Sequence, residues 1–459
     1  MKKIYTHRFI ARFTIEAETP LFVGSGESSL LKDALVQKDV NGFPMILGTS
    51  LTGVLRHSFS NKDWRSRIFG DDAIKKDGAA SLLKVSSACM MLNETKVSEG
   101  ILENIEPIVT ARFNNLPSRQ HVRITEKGVA EKNGLFDNEV VYKGVRFVFE
   151  MELKGTADDN DIWASLIEQV QRPTFRIGSG TRNGYGSLKV IGLFNKTYNL
   201  EIEEEFKEYL NFSPSFNASL PFIEIGLKQE NKAPDGYLHY RLNLVPDSFF
   251  VFSEGFGDDD VDNKPLEEEV VVYRNNTQEF EKQTVIPASS IKGAIAHRTA
   301  FHCNKKQELY SDEGKGTIGS NNRAVATLFG KAGKDIAEPQ AGNVFINDWY
   351  YSEEEIANNK IFNHVAIDRF TGGAINGALF SEKVSNLLGN GFCFDVYVKE
   401  LKEALDDEII TESLEEALKD IAKGLLPLGG MTTKGHGVFT GIVLKNGIEM
   451  YNYNTKNEI

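Results

Sequence analysis

The chain has 459 residues, 41% of them hydrophobic and 25% charged, with a net charge of −13. This is an ordinary globular composition, long enough for two or three domains. Cys89, Cys303 and Cys393 are widely separated with no Cys-x-x-Cys pair, which excludes a disulfide framework and a zinc ribbon, and no apolar run reaches the roughly 18 residues of a membrane span. The segment Met1 to Arg8 has no apolar stretch of signal-peptide type, so a cytoplasmic protein with no membrane partner is expected. The acidic balance argues against nucleic-acid binding over the whole surface and leaves room for a local basic groove.

Along the first half, Phe9 to Val23 alternates apolar and polar residues as a half-buried strand does. Ser50 stands before the helical spacing Leu51-Val54-Leu55-Phe59, where a serine is expected as N-cap. A strand is expected over Val145 to Leu153, a helix over Ile162 to Val170, then a Gly-rich loop and a strand from Gly186 to Val190. An acidic run from Glu201 to Glu208 gives way to Asn211-Phe212-Ser213-Pro214-Ser215, a linker-like composition. The second half repeats the order: a strand in Tyr240 to Phe252, Ser290 before Ile291 and Ile295, and a strand in Phe392 to Val398. A helix in Leu414 to Ile421 and a Gly-rich loop leading into Gly437 to Val443 complete it.

The repetition is also literal. Leu47-Gly48-Thr49-Ser50-Leu51-Thr52-Gly53 returns as Pro287-Ala288-Ser289-Ser290-Ile291-Lys292-Gly293, 240 residues on. His121-Val122-Arg123-Ile124, followed by Leu135-Phe136, returns 243 residues on as His364-Val365-Ala366-Ile367-Asp368-Arg369, followed by Leu379-Phe380. Gly178-Ser179-Gly180-Thr181-Arg182-Asn183-Gly184-Tyr185-Gly186 returns as Gly429-Gly430-Met431-Thr432-Thr433-Lys434-Gly435-His436-Gly437, 251 residues on. The near-constant offset means two homologous modules, 1–196 and 221–459, joined by 197–220. Strands and helices intermix without a βαβαβ run, so each module is expected to be α+β.

A strand follows each Gly-rich loop, whereas the dinucleotide fingerprint has a helix there, and no Gly-Lys-Ser/Thr phosphate loop occurs. Two such loops at matching places, beside Arg182 and Lys434, suit phosphate or a close backbone approach; a flexible hairpin is the bland alternative. Helix starts at Ser50 and Ser290 favour an anion, and Lys292 in the first turn opposes the helix dipole, as if something negative were bound. His57 and His297 match in the repeat, as do His121 and His364, with no completed catalytic triad or metal set.

At these residues the chain resembles the RAMP superfamily, and within it the backbone subunits of type III CRISPR effector complexes, fused in tandem. The missing zinc-finger cysteines make it similar to type III-D, not to the single-protein III-E effector. The resemblance implies two RRM-like (ferredoxin-like) modules, each with a thumb hairpin, in about 111–144 and 361–391, and a C-terminal Gly-rich loop. It implies CRISPR guide RNA, target RNA, and other RAMP and large subunits as partners. The family's catalytic Asp-x-x-Val-x-Lys-Asp pattern falls on Asp33 to Asp39, so Asp33 is the implied catalytic and metal-holding residue, working with Mg²⁺ or another divalent metal. RNA carries its own nucleophile, the 2′-hydroxyl, and one carboxylate can take its proton or hold the metal.

The second half departs from that pattern. Aligning Val272 with Val36 puts Glu269 in Asp33's place, and Asp260 and Asp262 stand nearby in an acid run that is also a plausible solvated surface. Expected guide-phosphate contacts are Ser50, Arg56, Lys292, Arg298, Arg182 and Lys434; expected duplex contacts are His121, Arg123, His364 and Arg369. Two other readings stand beside this one: an inactive scaffold, and a metal-independent CRISPR-RNA processing endoribonuclease using His57 or His297.

Overall fold

The computed structural model describes residues 5–29, 32–59, 61–70, 78–103, 107–124, 130–221, 223–224, 233–255, 257–309, 317–331, 339–352, 356–387, 391–400 and 408–456. The first half runs β1 (His7–Ala17), β2 (Met45–Ile46), α1 (Gly48–Ser58), α2 (Lys62–Phe69), β3 (Leu83–Val85), β4 (Ala88–Met90) and α3 (Pro107–Asn114). It continues with β5 (Ser118–Ile124), β6 (Ala130–Glu139), β7 (Arg146–Gly155), α4 (Asn160–Gln171), β8 (Leu188–Asn199), α5 (Glu203–Leu210) and β9 (Ile223–Glu224). The second half runs β10 (Tyr237–Pro246), β11 (Glu267–Arg274), β12 (Thr277–Ile286), α6 (Ala288–Lys306), α7 (Arg323–Phe329), β13 (Gly330–Lys331), β14 (Gln340–Ala341) and β15 (Val344–Ile346). After it come β16 (Trp349–Tyr351), β17 (Ile356–Ile367), β18 (Ala374–Leu387), β19 (Phe392–Lys399), α8 (Glu408–Ala422), β20 (Phe439–Lys445), β21 (Ile448–Asn452) and α9 (Tyr453–Lys456).

Each half builds one antiparallel sheet around its first strand. The first sheet has the order β2-β4-β7-β1-β8-β9 with β3 also on β7; the second has the order β15-β19-β10-β20-β21. In both, the earliest strand is central, flanked by the strand that follows the hairpin and by the strand after the Gly-rich loop. The alternation in β1 explains its place: Phe9, Ala11, Phe13 and Ile15 all lie in the main core. On the helix side, α4 buries Ile162, Trp163, Leu166, Ile167 and Val170, and α8 buries Ile410, Leu414, Leu418 and Ile421, the spacing of one helix face. The molecule is thus α+β with two repeats, as the sequence pattern predicts.

The outer faces of the two sheets differ. On the first, α5 and the segment after it cover Ile10, Phe194 and Tyr198. Arg12 is fully buried there, bonded to Glu150 at 2.7 Å and to the Ser213 and Ser215 carbonyls, between the rings of Phe212 and Phe216. The connecting residues 197–220 therefore hold the end of β8 and α5 and lie on the first sheet, and β9 beyond them pairs with β8. The second sheet's outer face is polar: His239 and Arg241 both bond Asp395, and Tyr397 stacks on the His239 ring.

The second half also reaches back. The hairpin β11–β12 is an arm whose Val271 and Tyr273 are buried in the first module's core, with Phe280 packed against them. Tyr273 donates to the Met91 carbonyl at 3.0 Å, the Val271 N–H donates to the Lys143 carbonyl at 2.8 Å, and Phe280 lies 5.3 Å from Tyr142. No counterpart exists in the first half among the described residues, where Lys38 bridges directly to Pro44.

Helix starts differ from expectation. α1 and α6 begin at Gly48 and Ala288, after Leu47 and Pro287, so Ser50 and Ser290 are third helical residues and not N-caps. The first N–H of each helix is capped from a distant strand connection: Gly48 donates to Ser87 Oγ at 3.2 Å, and Ala288 to Asp348 Oδ1 at 2.7 Å.

Candidate nucleic-acid interface

Matching hydrogen bonds fix the correspondence of the two modules better than letters do. The Gln37 N–H donates to the Val23 carbonyl and Leu266 to the Phe252 carbonyl; Met45 donates to Gln37 and Val285 to Leu266. In the same frame, Glu139 donates to the Ala34 carbonyl and Lys383 to the Asn263 carbonyl. The preceding residue is an acid in both: Asp33 Oδ2 accepts from the Asp137 N–H at 3.2 Å, and Asp262 Oδ2 from the Ser381 N–H at 2.8 Å.

Asp262, not Glu269, therefore occupies Asp33's place. Both side chains are exposed, each seated on the second strand of a two-stranded hairpin, β5–β6 or β17–β18. Glu269 instead lies on the arm, in an ion pair with Arg112 at 2.9 Å. Asp260 is exposed in the turn closed by Asp258. The Ser381 N–H and hydroxyl hold Asp262 below the usual carboxylate range, so it is ionised at neutral pH. Asp33 has a second acid beside it, because Asp137 Oδ1 accepts from the Asp33 N–H at 3.1 Å. Two carboxylates at one spot fit a Mg²⁺ that keeps several waters and shares a substrate phosphate. Among the described residues no three His, Cys, Asp or Glu side chains gather as a fuller metal set.

The Gly-rich loops are pinned in place. Gly186 donates to the Pro20 carbonyl and Gly437 to the Phe249 carbonyl. Both have φ of 75°, and a Cβ would stand 2.1 and 2.0 Å from the carbonyls of Ile177 and Leu428, so only glycine fits. Lys434 is exposed on the second loop. Arg182, on the first, donates to the Gly342 carbonyl and stacks on Phe345, gripping the second module.

The modules meet with the first Gly-rich loop against the start of α6. Lys292 Nζ approaches Asn183 Oδ1 at 3.3 Å. Burial, helped by Arg182, pushes the Lys292 ammonium down to about 8. The negative partner expected at this helix start is in part Asp348, whose carboxylate caps α6. Arg119 completes the joint: it forks onto Glu268 with two bonds of 2.6 Å, reaches Asp348 at 2.5 Å and Tyr350 at 3.1 Å, and stacks on Tyr185. Burial disfavours its charge, but Asp348 and Glu268 outweigh that and hold the guanidinium firmly protonated.

The remaining expected residues are scattered. Ser50 and Arg56 are half-buried on α1, and His57 and His297 are exposed on α1 and α6 with no carboxylate partner among the described residues. Arg298 is tied to buried Asp420 at 2.6 Å and does not reach outward as expected. The backbones of His121 and Arg123 are on β5, and their side chains lie outside the described ones. His364 bonds the fully buried Glu382 at 2.7 Å. Arg369 is exposed at the β17–β18 turn, beside Phe370, which is completely exposed. Arg119, Asp137, Glu268 and Asp348 were not foreseen. Ser87-Ala88-Cys89 and Asp348-Trp349-Tyr350 share no letters, and only the hydrogen bonds to Gly48 and Ala288 show that Ser87 and Asp348 cap equivalent helices.

Fold and site together define a tandem of two α+β modules, each with a hairpin-seated acid and a pinned glycine loop. The RAMP superfamily model matches residues 14–189 and 256–440, and the chain belongs to that superfamily. No curated protein matches the sequence. A subunit of a type III-B Cmr-beta complex in the apo state is similar at 18% identity, covering 41% of this chain and 98% of that one, with a TM-score of 0.32. A subunit of type III-B Cmr-beta bound to cognate target RNA is similar at 18% identity, covering 39% and 96%, with a TM-score of 0.31. Among the described residues no helix is long and apolar enough to cross a membrane.

Proposed function

We propose that this chain is a double backbone subunit of a type III, III-D-like CRISPR ribonucleoprotein, and that it cuts guide-paired target RNA at Asp33 and Asp262. Its partners are the guide RNA, the target RNA, and further RAMP and large subunits, in the cytoplasm. Each module is read as RRM-like, with β5–β6 and β17–β18 as thumbs. The observation that carries the reading is the matched seat of the two acids at the foot of those hairpins. The exposed Leu135, Phe136, Val365, Leu379 and Phe370 give the hairpins an apolar surface that suits wedging between bases. Lys292 and Lys434 are the guide-phosphate contacts this reading retains first.

In the cut, a kinked strand brings its 2′-oxygen in line with phosphorus. The O2′–P bond forms as the P–O5′ bond breaks; the carboxylate takes the 2′-proton, and water returns one to the 5′-oxygen. A bound Mg²⁺, held by Asp33 and Asp137, would neutralise charge on the phosphate. The test is cleavage of end-labelled target RNA by the assembled complex. Asp262→Asn removes one product and Glu269→Gln leaves all of them; the opposite result restores the letter-based alignment.

A further inference from the structure

Asp33 stands in a stretch that one buried carboxylate holds from both sides. Glu139, the last residue of β6, is 3% exposed. Its Oε1 accepts from Lys32 Nζ at 2.8 Å, and its Oε2 from the Val36 N–H at 2.9 Å. Its own N–H donates to the Ala34 carbonyl at 3.1 Å. Lys32 also donates to the Leu116 carbonyl at 2.7 Å, which ties the stretch to the segment after α3. Residues 32, 34 and 36 are thus fixed. Asp33 lies between them, and among the described residues its carboxylate accepts one bond, from the Asp137 N–H. A buried carboxylate is costly unless it is paired and hydrogen-bonded. Glu139 meets that condition with contacts that all lie on the Asp33 stretch.

The second module replaces this clamp as a unit. Counting from Asp262 as from Asp33, Val261 stands for Lys32, and Pro265, which has no N–H, stands for Val36. Lys383, whose N–H donates to the Asn263 carbonyl, stands for Glu139. The cation, the amide donor and the carboxylate all change together. Asp262 is held by another device. Ser381, in the place of Asp137, gives it the N–H at 2.8 Å and the hydroxyl at 2.9 Å, and its carbonyl accepts from the Asp262 N–H at 3.1 Å. Asp262 has two donors on its own carboxylate where Asp33 has one.

We infer that Glu139 is the positioning residue of the first seat. By fixing Lys32 and Val36 on either side, it sets where the Asp33 carboxylate stands, while Asp262 depends on Ser381. The effect on a cut rests on the cleavage reading above; the effect on the backbone of the stretch does not. In-line attack tolerates little displacement of the group that takes the 2′-proton, so a loosened seat lowers the rate and leaves target binding alone.

Glu139→Gln tests this with almost no change of shape. An amide accepts through one end only, so it gives up either Lys32 or the Val36 N–H. Single-turnover cutting of end-labelled target RNA is followed with the assembled complex and Mg²⁺ over a range of complex concentrations. Hydrogen exchange over residues 32–37 of the full chain is read by mass spectrometry. A melting curve checks that the variant is folded, and Lys32→Met, which removes only the cation, decides if it is not. The product that Asp33→Asn removes is expected to form about tenfold to a hundredfold more slowly at saturation, with half-saturation unchanged. The product that Asp262→Asn removes is unaffected, Ser381→Ala does the reverse, and exchange over 32–37 is faster. A full rate for the Asp33 product in Glu139→Gln overturns the inference and leaves the cleavage reading. Slower formation of both products with weakened half-saturation also overturns it, as a general structural effect. If Asp33→Asn removes no product, the cleavage reading fails and exchange decides: faster exchange keeps Glu139 as the holder of the stretch, and unchanged exchange overturns that as well.

Discussion

Arg119 joins four side chains from three places in the chain and has 5% of its side chain exposed. Removing it leaves Glu268 and the fully buried Asp348 without their cation, so Arg119→Ala is expected to cost about 3–5 kcal/mol in a denaturant melt. Gly184 shows how tight the joint is: at φ of 101°, a Cβ there would stand 2.4 Å from Asp348 Oδ1. Lys292 gives a pH signature. Its ammonium is lowered to about 8 by burial and by Arg182, and a nearby phosphate favours the charged form. RNA binding is thus expected to take up a proton and to weaken as pH rises through about 8. Filter binding across pH 7–9 checks this, and Lys292→Met flattens the profile. Asp33 stands out in the sequence because its local pattern survives. Asp262 was not, since Asp262-Asn263-Lys264-Pro265 shares only its acid with Asp33-Ala34-Leu35-Val36; backbone hydrogen bonds, not letters, keep the seat. The Arg298 bond to Asp420 was not legible, because a basic side chain on a helix face says nothing of a buried carboxylate two helices away.

At the scale of elements, the arm β11–β12 carries most of what the sequence concealed. Its run Glu267-Glu268-Glu269 looks like solvated surface, and its alternation of Val271 and Tyr273 looks like any strand. Which core those side chains enter depends on a surface contributed by residues 127 to 182 positions earlier, so the local pattern could not tell. Tyr273→Ala is expected to cost about 3–5 kcal/mol and to lower the melting temperature of the whole chain, although the residue belongs to the second half. The central strands and α4 and α8 were legible for the opposite reason: periods of 2 and 3.6 are local properties. The helix starts were misplaced because capping by Ser87 and Asp348 comes from a separate strand connection, which frees Ser50 and Ser290 from that task.

At the scale of the molecule, the two modules share a frame but not a surface. The first closes on its partner module through Arg119; in the second, Lys434 is exposed at the place equivalent to Asn183. The arm and the joint pack the second module against the first. The duplication was readable from the offsets and the α+β class from the intermixed strand and helix periods; the joint was not, since its residues differ between the repeats. The central claim is that each module cuts once. The most direct test assembles the guide complex with wild-type chain, Asp33→Asn, Asp262→Asn and the double variant, and supplies Mg²⁺ and end-labelled complementary RNA while target binding is measured in parallel. The account predicts that each single substitution removes a different product band, that the double removes both, and that binding is unchanged. An unaltered band pattern in both single variants with binding intact would contradict it.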